Sequence, residues 1–462
     1  MCTRSLALAA VFTLIAATVA RPDEIDHLVN AEIARQHIPG LSLAVVRDGH
    51  VAKSAAYGLA NVELNVPATT ASVFQIQSMT KQFTATAVMM LVEEGKLSVD
   101  DPLSKHLDNT PDAWKGVTLR HLLTHTSGIK DFINEPTADL RLDVTEEDVL
   151  KATTPRPLNF QPGDKFAYSN TNYHLLAMVI RKITAKPYGE FLRERIFQPL
   201  GMNDTRIVRL STLIPNRVSG YQWRNNTRLN GAYVAESILA YAGGGICSTA
   251  LDLAKWDAAL YTDKLVKRST LEQMWTPAKL NDGSETAAGF GWFITRVRGH
   301  RHIAHGGGHI TGFTSYISRF PEDRLTVIVL CNSGGGNTGK IARQVAGLIN
   351  PALAPDKYEP IEDKEPQVAQ LLRDLISKAR DGKLVPEPFA PELWAAIGAN
   401  PKAVQAMAAA LGELKSLTLV QRVEQNGVRR YRYRGLFQNA SLMVLISINK
   451  DGKVAEFTGE PE

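Results

Sequence analysis

The stretch SMTKQFTATAVMMLVEEG, residues 78–95, decides how this chain of 462 residues is read. It opens with Ser78-Met79-Thr80-Lys81, a serine with a lysine three positions on. That is the nucleophile-plus-base spacing of serine acyl-transfer chemistry without a histidine triad. On an α-helix, positions i and i+3 lie on one face a turn apart, so the amine can reach the hydroxyl. A desolvated amine near neutrality can then take the serine proton. Phe83, Ala87, Val88, Leu91 and Val92 recur at helical spacing, and Gly95 stands where a C-terminal cap belongs. The stretch predicts a core-facing helix that holds Ser78 and Lys81 rigidly beside a cleft.

The tetrapeptide pattern alone is weak, because Ser127-Gly128-Ile129-Lys130 and Ser447-Ile448-Asn449-Lys450 also fit it. Ser127 is followed by glycine in a loop-like stretch. Ser447 lies in an alternating β pattern that sends Ser447 and Lys450 to opposite faces. Context therefore selects Ser78.

A hydrophobic content of 44% with 21% charged residues is that of an ordinary globular protein, and the length predicts two or more domains. A formal charge of +5 is weak over this length, and no basic run with interleaved aromatics calls for nucleic acid. Arg429, Arg430, Arg432 and Arg434 alternate with apolar or aromatic positions, as on the solvated face of a strand. At the N-terminus, Arg4, the apolar run Leu6 to Ala17 and Thr18-Val19-Ala20 read as an export signal over residues 1–20. The expected location is periplasmic or secreted, with no stable membrane span once the signal is removed. Cleavage removes Cys2 and leaves Cys247 and Cys331, whose pairing the sequence leaves open, as it does the oligomeric state.

Residues 23–37 read as a helix. Leu41 to Val46 and Val51 to Tyr57 read as strands around an Asp48-Gly49 turn. A helical middle follows, with Ser248-Thr249 as the cap of a helix through Trp256 and Leu260. Strands return at Gly291 to Val297, Gly312 to Ser318 and Leu325 to Asn332. Strands at both ends around a helical middle imply one sheet assembled from sequence-distant segments. Pro351 to Pro366 reads as a linker. Helices near 367–380 and 402–413 and strands Leu417 to Val423, Val428 to Arg434 and Ser441 to Ile448 predict a small α+β domain over 367–462.

Further landmarks follow in order: Tyr57-Gly58-Leu59-Ala60-Asn61, Glu94-Gly95-Lys96-Leu97, Asp100-Asp101-Pro102, and His121 to Ile129 (HLLTHTSGI). Then come Tyr168-Ser169-Asn170, Gly220-Tyr221, Ala242-Gly243-Gly244-Gly245 and His305-Gly306-Gly307-Gly308. With these the chain, over about 25–350, resembles the serine β-lactamase and penicillin-binding-protein superfamily, which implies a hydrolase domain over 21–350. It most resembles the branch of class C β-lactamases, DD-carboxypeptidases, D-aminopeptidases and related carboxylesterases. The resemblance implies an α/β (α+β) fold, a β-lactamase/transpeptidase-like antiparallel sheet flanked by helices with a helical subdomain supplying Tyr168. It implies Ser78 as nucleophile, Lys81 as base and Tyr168 as a partner in proton transfer, its phenolate favoured by Lys81. Asn170 would hold the substrate carbonyl and orient Lys81. Ser78 and Gly308 would offer backbone N–H groups to an oxyanion, with the glycines Gly306, Gly307 and Gly308 letting the edge strand lie flush against substrate.

His305 and Gly306 replace the lysine and hydroxyl residue that β-lactamases carry in this third motif. A histidine is only partly charged at neutral pH, so the anchor for a substrate carboxylate is weakened. The resemblance then implies a serine hydrolase acting on a small ester, amide or short peptide. Esterase or amidase action leads, with D-amino-acid peptidase or DD-carboxypeptidase, β-lactamase and a non-catalytic penicillin-recognising scaffold as alternatives. No cofactor is implied. His302, His305 and His309 lack an acidic or cysteine companion at ligand spacing, and His121 and His125 lack the glutamate of the zinc-protease helix, so no metal is expected. Gly243 to Gly245 reads as a flexible turn.

Overall fold

The computed structural model describes residues 23–461 except 109, 134–137, 155, 240 and 355–357, so the expected leader over 1–20 lies outside them. The chain forms two compact units that divide between residues 355 and 356. In the first, β1 (Gly40–Arg47), β2 (His50–Asn61), β3 (Val66–Pro67), β4 (Phe293–Val297), β5 (His300–His309), β6 (Phe313–Phe320) and β7 (Leu325–Cys331) form one sheet. Its order is β3-β2-β1-β7-β6-β5-β4, antiparallel throughout. The two ends of the sequence meet at its centre, where Leu41 stands opposite Cys331 and Val45 opposite Val327.

Helices α1 (Glu24–Gln36), α2 (Thr80–Glu93), α3 (Leu119–Leu123), α4 (Asn170–Thr184), α5 (Ala250–Ala259) and α6 (Thr338–Ile349) cover this sheet or build the helical part beside it. Both central strands are apolar on both faces, as a sheet buried on two sides requires. Leu41, Leu43, Val45, Val327 and Val329 pack with Val29 of α1 and Ile341 and Val345 of α6. Ala44, Val46, Ile328 and Leu330 belong to the opposite core, with Phe83 and Leu91 of α2 and Trp256 of α5. Thr249 caps α5 by accepting the Asp252 N–H at 3.1 Å. Between α5 and the sheet lies a buried ion pair, Arg319 Nε to Asp257 Oδ1 at 2.5 Å, with the guanidinium against the rings of Trp275 and Tyr261.

The second unit holds α7 (Pro366–Arg380), α8 (Pro391–Ala399), α9 (Pro401–Leu411) and the antiparallel sheet β8 (Leu414–Gln425), β9 (Val428–Phe437), β10 (Ser441–Ile448), β11 (Val454–Pro461). Tyr431 and Tyr433 are buried with Leu372 and Leu375 of α7, while at the alternate positions Arg430 is exposed and Arg432 half-buried. Helix α8 and strand β11 escape the sequence reading, being short and weakly periodic. So does β5 itself: His305 to Gly308 read as a stretch between two strands but lie within this one, because a glycine run carries no β-propensity signal. Cys247 and Cys331 are both free and buried, so the first unit carries no bridge between them. No helix among the described residues is long and apolar enough to cross a membrane.

Candidate active site

Strand pairing fixes the approach to Ser78. Phe74–Gln75 pairs with Cys247–Ser248, and the Ile76 N–H donates to the Ile246 carbonyl at 3.0 Å. The chain then passes through Gln77 at φ 51°, a left-handed conformation that is strained for a residue with a Cβ. Its own side chain holds it there, donating to Gln75 Oε1 at 2.9 Å and Thr311 Oγ1 at 3.0 Å. Ser78 therefore lies in a tight 3₁₀ turn, Gln77–Met79, immediately before α2 rather than inside its first α-helical turn. The relation to Lys81 survives, with Nζ 3.3 Å from Ser78 Oγ.

Lys81 is fully buried. Its Nζ lies 2.9 Å from Asn170 Oδ1 and 2.6 Å from the Gly243 carbonyl. Burial pushes its pKa down to about 7, with the Asp131 carboxylate pulling the other way. A neutral amine has two N–H donors and one lone pair. The two carbonyl oxygens can only accept, so they take both N–H groups and leave the lone pair for the Ser78 hydroxyl. Hydroxyl donating to amine is the polarity a general base needs.

Tyr168 stands just before α4, with Lys81 Nζ 4.8 Å from its ring centroid. Burial drives its pKa up, partly offset by a hydrogen bond with Ser78. This reverses the expected phenolate: Lys81 lies over the ring face and is itself driven towards neutrality, so the phenol keeps its proton and reaches Ser78 as a neutral hydroxyl. Asn170 opens α4, with Oδ1 to Lys81 and Nδ2 donating to Asp131 Oδ2 at 2.9 Å.

Four contributors escape the sequence reading. Gly243, read as part of a flexible turn, presents its carbonyl to Lys81. Tyr241 donates to Asn170 Oδ1 at 3.1 Å. Asp131 holds the other end of that amide. His125 stacks on Tyr168 at 4.3 Å between centroids and accepts the Ser169 N–H at 3.1 Å, whereas His121 caps its own helix at Thr118. Each lies inside a quoted landmark or within two residues of one, which is the only signal that could have flagged them.

Strand β5 closes the site. Its pairing with β4 ends at Ala304–Phe293, so among the described residues no strand pairs with 305–309 on that edge. A Cβ on Gly307 would meet the Ile76 carbonyl oxygen at 2.4 Å and Gln77 Cβ at 2.8 Å; one on Gly308 would meet nothing closer than 3.4 Å. Packing against the Ser78 turn by itself requires glycine at Gly307. His305 is buried, its Nδ1 2.6 Å from the Gly306 carbonyl, and burial takes its pKa down to about 3. It is a neutral ring at physiological pH. Phe293 packs 5.2 Å from it, and the part-exposed Phe166 meets Phe293 edge-on, giving an aromatic rim.

The competing serines are structural. Ser127 Oγ is buried and donates to Asn172 Oδ1 at 2.7 Å, and Ser447 is buried in β10. His302 bonds Ser318 at 2.8 Å, apart from His305; the side chain of His309 lies outside the described set.

Comparison with known proteins places this geometry. The beta-lactamase family model matches residues 25–349. Penicillin-binding protein 4* of Bacillus subtilis (strain 168) is 31% identical over 293 residues, 60% of this chain and 64% of that protein, so the chain spans less than two thirds of that relative's length. The octameric penicillin-binding protein homologue from Pyrococcus abyssi superposes with a TM-score of 0.63 at 25% identity, covering 93% of this chain and 94% of that one. The D-amino acid amidase from Ochrobactrum anthropi SV3, complexed with L-phenylalanine, gives 0.63 at 26% identity over 71% of this chain and 98% of that one. With its strained serine turn, buried lysine and glycine-rich edge strand, the chain belongs to the beta-lactamase family.

Proposed function

We propose that this protein is a serine hydrolase that forms an acyl-enzyme on Ser78 and acts on small neutral esters or amides. The observation that carries the reading is the fully buried amine of Lys81, brought by burial to titrate at about 7, with a carbonyl acceptor for each N–H group of its neutral form and the lone pair left for Ser78. Ser78 Oγ attacks the substrate carbonyl carbon while its proton passes to Lys81. The oxyanion is received by the N–H groups of Ser78 and Gly308. The proton then reaches the leaving group from Lys81 or through the Tyr168 hydroxyl, and water, deprotonated by the same amine, releases the acid.

The selectivity follows from His305. A neutral ring offers no cation to a substrate carboxylate, so penicillins and cephalosporins gain nothing there that a simple ester lacks. Likeness to a D-amino acid amidase across nearly its whole length favours amides of D-amino acids as a second reading. Export with removal of residues 1–20 belongs to the same proposal, on the strength of the charged start, apolar run and small residues at the N-terminus. A panel of p-nitrophenyl esters, D-amino-acid p-nitroanilides and nitrocefin tests the function. Turnover of esters or anilides above nitrocefin supports it, and nitrocefin hydrolysed far faster than the others contradicts it.

A further inference from the structure

We propose that Asp131 is a positioning residue of the acylation centre: its carboxylate fixes which end of the Asn170 amide faces Lys81, and its charge sets how firmly the Lys81 amine holds a proton. The inference rests on Lys81 being the base for Ser78.

The geometry is a chain of four side chains. Asp131 Oδ2 accepts from Asn170 Nδ2 at 2.9 Å, Asn170 Oδ1 accepts from Lys81 Nζ at 2.9 Å, and Lys81 Nζ lies 3.3 Å from Ser78 Oγ. A carboxylate only accepts hydrogen bonds, so it selects the NH₂ end of the amide and turns the carbonyl end towards Lys81. Tyr241, donating to the same Oδ1, reinforces that orientation. With the amide reversed, an N–H would point at the amine and compete for the lone pair that Ser78 needs. Asp131 is itself anchored, its Oδ1 accepting the Ile133 N–H at 3.2 Å.

The charge has a separate effect. Around Lys81 stand Ser78 on its turn, Tyr168 and Tyr173 at the start of α4, Tyr241 beside Gly243, His125 after α3 and His305 on β5. Burial keeps the three tyrosines protonated and both histidines unprotonated, so these groups bring dipoles but no formal charge. The carboxylate of Asp131 is the charge whose attraction opposes the burial of Lys81. Without it the amine would lose its proton more easily and also be a weaker base for the serine.

The experiment is the rate of fluorophosphonate labelling of Ser78 in the full-length protein against pH, for wild type, Asp131→Asn and Asp131→Glu. The wild-type rate should rise through one ionisation near neutrality. Asp131→Asn should move that limb down by about one pH unit and lower the plateau several-fold. Asp131→Glu, which restores the charge, should return the limb towards wild type. Should Asp131→Asn fail to fold, Asp131→Ser supplies the neutral variant, with the same downward shift expected. A limb unmoved in the neutral variants overturns the proposal, as does an equal shift in Asp131→Glu. A wild-type protein that labels at Ser78 with no limb refutes Lys81 as the base instead, a different failure from that of Asp131.

Discussion

The Lys81 side-chain nitrogen lies 2.6 Å from the carbonyl oxygen of Gly243, and that carbonyl comes from a part of the chain more than 160 residues away. A Cβ on Gly243 would meet the Tyr241 ring at 2.3 Å and Lys81 Nζ at 3.2 Å, so the backbone can approach the amine only as glycine. The contact lets a lysine stay fully buried with its donors satisfied, at the expense of its charge.

That expense predicts a trade between stability and activity. In the unfolded chain lysine titrates near 10.5; folded, Lys81 titrates at about 7. Between these values the unfolded chain binds more protons, so stability rises with pH from about 7 to 10.5. Lys81→Met should abolish acylation yet raise the melting temperature by several degrees at or below neutral pH. The gap should close as pH climbs through 10 and beyond, since both states of the wild type are then neutral. Calorimetry across pH measures this; a variant less stable than wild type at pH 7 contradicts it.

Gly307 and Gly308 should behave differently although adjacent. Gly307→Ala drives a methyl into the Ile76 carbonyl under the Ser78 turn, so a loss of about 1–3 kcal/mol in stability and a large drop in kcat are expected. Gly308→Ala has room and keeps its N–H, so it should fold like wild type and lose less than about tenfold in kcat/KM. Denaturant titration and steady-state kinetics separate the two. Equal effects would mean that the strand does not pack on the serine turn.

The fold was legible where periodicity is strong. Leu41 to Val46, Leu325 to Asn332 and the helix after Ser78 announce themselves through apolar pattern, and Thr249 through its capping chemistry. The juxtaposition of Ser78 and Lys81 could be read because their relation is local, three residues along one turn. What surrounds them is not local. Asn170 is reached only through the resemblance carried by Tyr168-Ser169-Asn170, while Asp131 and Gly243 join it from separate loops, and a backbone carbonyl leaves no mark in a sequence. The ionisation states were equally out of reach. Tyr168 keeps its proton and His305 loses its own because of burial, a property of the assembled fold.

The buried pair Asp257–Arg319 joins α5 to the sheet. Asp257→Ala leaves the fully buried Arg319 guanidinium without its counter-ion and should cost about 3–5 kcal/mol. Residual activity per folded molecule should stay near wild type. Equilibrium unfolding measures the loss, and a change within about 0.5 kcal/mol, the scale of an ordinary surface substitution, would show the pair to be dispensable.

His305→Lys tests the basis of selectivity. A cation at this position should raise turnover of carboxylate-bearing substrates relative to neutral esters by about 1–2 kcal/mol, roughly tenfold. Competition kinetics between a neutral and an acidic substrate pair reports the ratio. An unchanged ratio would remove His305 from the control of specificity.

The proposed activity depends on Ser78 becoming covalently acylated. Intact-mass and peptide mass spectrometry after fluorophosphonate treatment should find one added label on the peptide carrying Ser78 in wild type and none in Ser78→Ala. A label that persists in Ser78→Ala, or that maps to the peptide carrying Ser127, would contradict the assignment of the nucleophile.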